Sequence, residues 1–144
     1  MSMGERTRAA IAAEAVGRGS LAGLLLVSGI AHLADAKTFH AQVPSWFPAP
    51  EATVLVSGLI EIALAVALVI VVRRRALVGW IVAAFFVVVF PGNVSQFLTH
   101  TDAFGLDSDG ARAGRLMLQP VLVVWALWCT GAWRASRRSS APAP

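Results

Sequence analysis

From Ala52 to Val72 the chain runs for 21 residues with one charged side chain, Glu61. About 20 consecutive apolar residues make a helix long enough to cross the hydrocarbon core of a bilayer. Three further apolar runs, at about 19–34, 76–98 and 116–133, bring the total to four. Lipid offers no partner for an open backbone, so such runs are expected as helices. A transmembrane β-barrel is excluded, because its strands would alternate apolar and polar residues. The composition agrees: 57% of the residues are hydrophobic and 14% charged, against about 45–50% and 25% in soluble domains. With 144 residues, four spans leave no room for a separate soluble catalytic domain. The lone cysteine, Cys129, excludes an internal disulfide, a CxxC redox pair and a cysteine zinc site.

The expected architecture is therefore all-α, an integral membrane four-helix bundle. Residues 1–18 form a cytoplasmic segment, 19–133 a single four-span domain, and 134–144 a disordered basic tail against anionic headgroups. Charge sets the direction. Arg6, Arg8 and Arg18 precede the first span, Arg73–Arg75 join the second and third, and Arg134, Arg137 and Arg138 follow the fourth. Those nine share one side, and only Lys37, Arg112 and Arg115 fall on the other. The positive-inside rule then puts both termini in the cytoplasm. The net charge of +4 is thus a matter of topology, and no nucleic-acid partner is expected. A signal peptide cleaved within Ala34-Asp35-Ala36 is the rival reading. Glu14 and Arg18 break its lead-in, and cleavage would leave an odd three spans.

The first outer loop, DAKTFHAQVPSWFPAPE from Asp35 to Glu51, is too apolar for a solvated linker. Its three prolines restrict the backbone, so a short interfacial helix and a rigid turn are expected over the bundle mouth. The second outer loop, Thr99–Arg115, is acidic and glycine-containing, and is expected to be mobile.

Polar side chains within spans are costly and imply a partner or a cavity. Here they fall at helical spacing: Ser28, His32 and Asp35; Ser57 and Glu61; Asn93, Gln96 and His100; Arg112, Arg115 and Gln119. In the four-span topology His32, Asn93, Gln96, Arg115 and Gln119 lie near the outer ends. Glu61 lies about 14 Å deeper than Ala52 at 1.5 Å per residue. The expectation is one outward-facing pocket walled by His32, Asn93, Gln96, Arg115 and Gln119, with Glu61 at its floor and no metal. Glu61 serves either as a proton or hydrogen-bond acceptor for a ligand, or as a strut paired with Arg115. His32 could ligate haem with His40 or His100, or simply hydrogen-bond a neighbouring helix. The second reading is preferred, because no other histidine lies inside a span to complete a bis-histidine pair. Gly19-x-x-x-Gly23 matches a helix-packing pattern but is weak among so many small residues. Trp125 and Trp128 are read as packing or lipid contacts, and Pro91 and Pro120 as helix kinks.

Five motifs in order are similar to those of the DoxX-like family of small four-span membrane proteins. They are GIAHL at Gly29–Leu33 with Phe39, VPSWFPAPE at Val43–Glu51, SGLIE at Ser57–Glu61, VFPGNV at Val89–Val94, and RLMLQP at Arg115–Pro120. The resemblance covers roughly residues 20–130, with departures at Leu33, Ala36 and Met117. It implies association with quinone-linked membrane redox complexes and no established reaction; distant relatives look like chaperones or cargo receptors. It carries over His32, Glu61, Asn93, Arg115 and Gln119, and for shape Gly29, Pro44, Pro48, Gly58 and Pro91. The sequence thus suggests a non-catalytic binding or accessory subunit of a bacterial cytoplasmic membrane. A quinone-like ligand, a redox-protein partner or a second copy would be its associates. A proton-coupled transporter using Glu61 and a membrane chaperone are the alternatives.

Overall fold

The computed structural model describes residues 2–40, 42–100 and 108–139, with the side chains of the last two left aside. It is all-α: α1 spans Met3–Ala34, α2 Ala36–His40, α3 Pro50–Ile70, α4 Arg75–Leu98, α5 Asp109–Cys129 and α6 Ala132–Ser139. No strand occurs among the described residues. The expected interfacial helix of the first loop corresponds in position to α2.

Helix ends follow local chemistry. At the start of α1, Glu5 N donates to Ser2 Oγ (3.3 Å) and Ser2 N donates to Glu5 Oε2 (2.5 Å). This reciprocal cap satisfies two orphan donors. It also explains why α1 begins at Met3 rather than near residue 19. The segment is too polar to count as a span, yet it is capped and rich in alanine, the best helix former. At 32 residues, α1 is about 48 Å long. Pro50 opens α3, where its fixed φ and missing N–H cost least. Ser108 caps α5 by accepting from Ala111 N at 3.2 Å. Both α4 and α5 continue through their prolines, Pro91 and Pro120.

Two helix pairs make the most extensive contacts, α1 with α3 and α4 with α5; α1 also packs on α5. A core of Leu21, Leu25, Leu68, Val82 and Ala126 lies between them. Glycines set the closest approaches. A Cβ on Gly29 would lie 2.7 Å from the Gly58 carbonyl oxygen, and one on Gly79 would overlap the Thr130 hydroxyl. Gly19 and Gly23 have nothing within 4 Å, so the GxxxG pattern packs no helix here. By contrast α3 and α4, although consecutive, touch only sparsely, which leaves a cleft between them.

The opposite end of the molecule is tied by polar contacts that the apolar pattern does not reveal. Trp125 Nε1 donates to the Gly17 carbonyl (3.1 Å), so this tryptophan is more than a packing or lipid contact. Arg134 Nη2 lies 2.6 Å from Glu14 Oε1, and Glu14 is buried. Gly131, at φ 70°, makes the turn from α5 into α6. The tail expected to be disordered from residue 134 is therefore helical to Ser139. Its reason is the anchor: Ala132 is fully buried, Arg134 is paired, and the Arg137 guanidinium stands 5.5 Å from the Trp133 ring centroid. The remainder of the tail, 140–144, lies outside the described residues.

Much of the surface between the ends is apolar. Val88, Ile70 and Val27 are 74%, 70% and 69% exposed, and large exposed apolar patches mark interaction or membrane surfaces. Three helices, α1, α3 and α4, are long and apolar enough to cross a membrane. The expected fourth span is shorter in apolar terms. The first half of α5 holds Arg112, Arg115, Gln119 and Pro120, and the helix ends at Cys129.

Candidate functional site

Where α1 crosses α3, the side-chain-free surfaces of Gly29 and Gly58 meet. One turn further along each helix, that crossing brings His32 Nδ1 to 3.3 Å from Glu61 Oε2. The same nitrogen lies 2.8 Å from the Ser28 carbonyl oxygen. A carbonyl only accepts, so Nδ1 carries a hydrogen and donates it to Ser28. Glu61 Oε2 is buried and takes no hydrogen bond. Its carboxyl group stands beside the imidazole. Phe39 of α2 covers the ring of His32, with centroids 3.9 Å apart. The nitrogen left available is Nε2.

A second polar set joins α4, α5 and the loop after α2. Arg115 Nη2 donates to Gln42 Oε1 (2.6 Å) and Arg115 Nε to Asn93 Oδ1 (3.3 Å). Asn93 Nδ2 donates to Gln119 Oε1 (2.8 Å), and Gln119 Nε2 to the Phe86 carbonyl (2.6 Å). Pro91 lacks an N–H and so withholds the usual helical donor from Val87; the carbonyl that Gln119 reaches belongs to the residue before it. Gln96 is buried on α4, three residues beyond Asn93. Further out, Asp109 meets His100 Nδ1 (2.9 Å) and Arg112 Nη1 (3.0 Å). His100 first, and Arg112 second, hold the Asp109 carboxyl below the usual carboxylate range.

A lowered folded-state value stabilises the ionised, folded form above the unfolded pKa, about 4 for aspartate, and loses that effect as pH falls through the lowered value. The start of α5 is therefore expected to loosen only below about pH 4. Amide exchange at Ala111 and Arg112 checks this. Relative to the parent, Asp109→Asn should show the looser state already at neutral pH, and identical exchange in the two proteins would refute it.

Between α3 and α4 lies a cavity of about 500 Å³. Val56 and Ile60 of α3 face Phe85 and Val88 of α4 across it, and Pro44 and Trp46 of the loop roof it. Its polar lining is His32, Gln42, Thr53, Ser57 and the indole N–H of Trp46, and no aspartate, glutamate, lysine or arginine lines it. Val56, Ile60 and Val88 are 53%, 42% and 74% exposed, so the cavity opens sideways between the helices. A Cβ on Gly92 would stand 3.0 Å from the Gln42 carbonyl oxygen, so the loop rests directly on α4.

Of the six residues expected around one pocket, His32 alone lines this cavity. Glu61 sits behind His32. Arg115, Asn93 and Gln119 form the hydrogen-bonded chain that reaches the roof through Gln42. Among the shape residues, Pro44 and Pro91 line the cavity, Gly29 and Gly58 set the α1–α3 crossing, and Pro48 is exposed in the loop. Gln42 and Glu14 were not legible as site or tie residues. Gln42 lies in a loop outside any helical period, and Glu14 precedes the apolar run. Among the described residues, no group of three or more histidine, cysteine or acidic side chains could hold a metal.

A fold of this kind, with an apolar cleft and two polar sets at one end, defines a small all-α protein with membrane-length helices. The chain belongs to the family described as a domain of unknown function (DUF8561), which matches residues 21–130. No curated protein and no solved structure matches it.

Proposed function

We propose that this is a four-span protein of a bacterial cytoplasmic membrane, with both termini inside and α5 as the fourth span. Its role is to bind a lipophilic small molecule that enters from the bilayer between α3 and α4. The observation that carries this reading is the uncharged cavity, open sideways and polar chiefly where His32 and Gln42 meet it. Ligand sites are commonly concave and apolar with a few convergent polar groups. A quinone-like ring with an apolar tail fits that description, as does the resemblance to DoxX-like proteins, and an accessory role beside a membrane redox complex follows from it. Transport of protons by Glu61 is less favoured, because its carboxylate lies behind His32 and not at the cavity wall.

Mass spectrometry of lipid extracted from the purified full chain tests the reading. The expected result is one lipophile retained in near-stoichiometric amount and lost in Ile60→Trp, which fills the cleft. Well-folded protein that retains nothing beyond bulk phospholipid would overturn it.

A further inference from the structure

The hydroxyl and imidazole hydrogens of the cavity wall are already committed. Thr53 Oγ1 donates to the Ala49 carbonyl at 3.1 Å, and Ser57 Oγ donates to the Val54 carbonyl at 2.9 Å. His32 Nδ1 donates to Ser28. Gln42 Oε1 is occupied by Arg115, while Gln42 Nε2 is buried below the surface and has no acceptor. The wall offers the lone pairs of the Thr53 and Ser57 hydroxyls and of His32 Nε2. Imidazole is the strongest acceptor of these, and Glu61 stands at the Nδ1 side of the ring.

We infer that the cavity selects an uncharged lipid whose head group donates a hydroxyl hydrogen to His32 Nε2. This rests on the cleft being a ligand site at all, as proposed above. A head with only ketone or ether oxygens cannot supply that hydrogen, so it leaves the His32 Nε2 lone pair unpaired. An anionic head meets no lysine or arginine at the wall. For a quinone-like ligand the preferred form is the reduced, dihydroxy one. Glu61 acts here as a positioning partner of His32 and does not touch the ligand.

The test compares 4-decylphenol with its methyl ether, which keeps the ring, tail and oxygen but removes the donated hydrogen. Binding to the full chain in detergent is followed by native mass spectrometry across a concentration series. The phenol is expected to bind about tenfold more tightly, the value of one well-formed hydrogen bond. His32→Phe should abolish the difference, and His32→Gln, whose amide oxygen is again an acceptor, should restore part of it. Helical circular dichroism confirms that each variant is folded. Equal affinities for the two probes overturn the selectivity while leaving the cleft as a lipophile site. A preference that survives His32→Phe overturns the role of His32. Failure of both probes to bind overturns the cleft reading and this inference with it.

Discussion

Gly58→Ala is expected to destabilise the protein by about 2 kcal/mol and Gly58→Leu by about 3 kcal/mol or more, the range for overpacked cores. A Cβ at position 58 would stand 2.8 Å from His32 Cβ and 3.0 Å from the Gly29 carbonyl oxygen. Neither neighbour is the free end of a flexible side chain, so relief requires α1 and α3 to move apart. That movement separates His32 from Glu61, and the site should fail together with the fold. Thermal unfolding in detergent measures the first effect, and loss of ligand retention in the surviving folded fraction measures the second. Gly19→Ala and Gly23→Ala are the controls. Both positions face open space, and alanine in a helix interior is better than glycine by about 0.5–1 kcal/mol. They should be neutral or slightly stabilising. A Gly58→Ala protein as stable as the parent would remove the close crossing as the device that assembles the His32–Glu61 pair.

The contrast between those glycines shows what was legible in the sequence. Apolar run length located α3 and α4 to within two residues at each end, because lipid-facing and core-facing positions are both apolar and the run marks the whole helix. It did not fix the start of α1, where capping and the alanine-rich stretch from Ala9 to Val16 extend the helix without hydrophobicity. It also set the fourth span by polarity alone, although α5 begins seven residues earlier, among charged side chains. Helical spacing set Asn93 with Gln96 on one helix and Arg115 with Gln119 on another, and all four were expected in one pocket with His32 and Glu61. The structure brings Asn93 to Gln119 and Arg115, and His32 to Glu61, since polar groups at one end of apolar helices seek one another. It could not separate the two sets or find the cavity between α3 and α4. That division depends on which helix pairs pack tightly, and the glycine pattern signals it ambiguously: Gly29 and Gly58 are contact points, while Gly19 and Gly23, similar in sequence, are not. Gln42 was illegible for a related reason. A loop residue has no period, and only the reach of Arg115 across to it reveals its part in holding the roof.

Gln119→Leu is expected to cost about 2 kcal/mol, more than the roughly 0.6 kcal/mol typical of a single polar contact between membrane helices. Gln119 is both acceptor for Asn93 and donor to the Phe86 carbonyl, and leucine fills its volume while supplying neither. The Asn93 amide then keeps a desolvated donor without an acceptor, and Asn93 in turn orients Arg115. Because these groups form one chain, the variants should not be additive: Asn93→Leu in the Gln119→Leu background should cost less than Asn93→Leu alone. Arg115 would then lose its Asn93 contact, the roof of the cavity would be less firmly seated, and a bound lipophile should dissociate faster even where the fold survives. Urea-free thermal melts of the two single variants and the double variant give the coupling, and ligand off-rates give the consequence at the roof. Strict additivity, with off-rates unchanged from the parent, would mean that the amides stabilise α4 against α5 independently and that Gln42 is held in place by the packing of the loop on Gly92 instead.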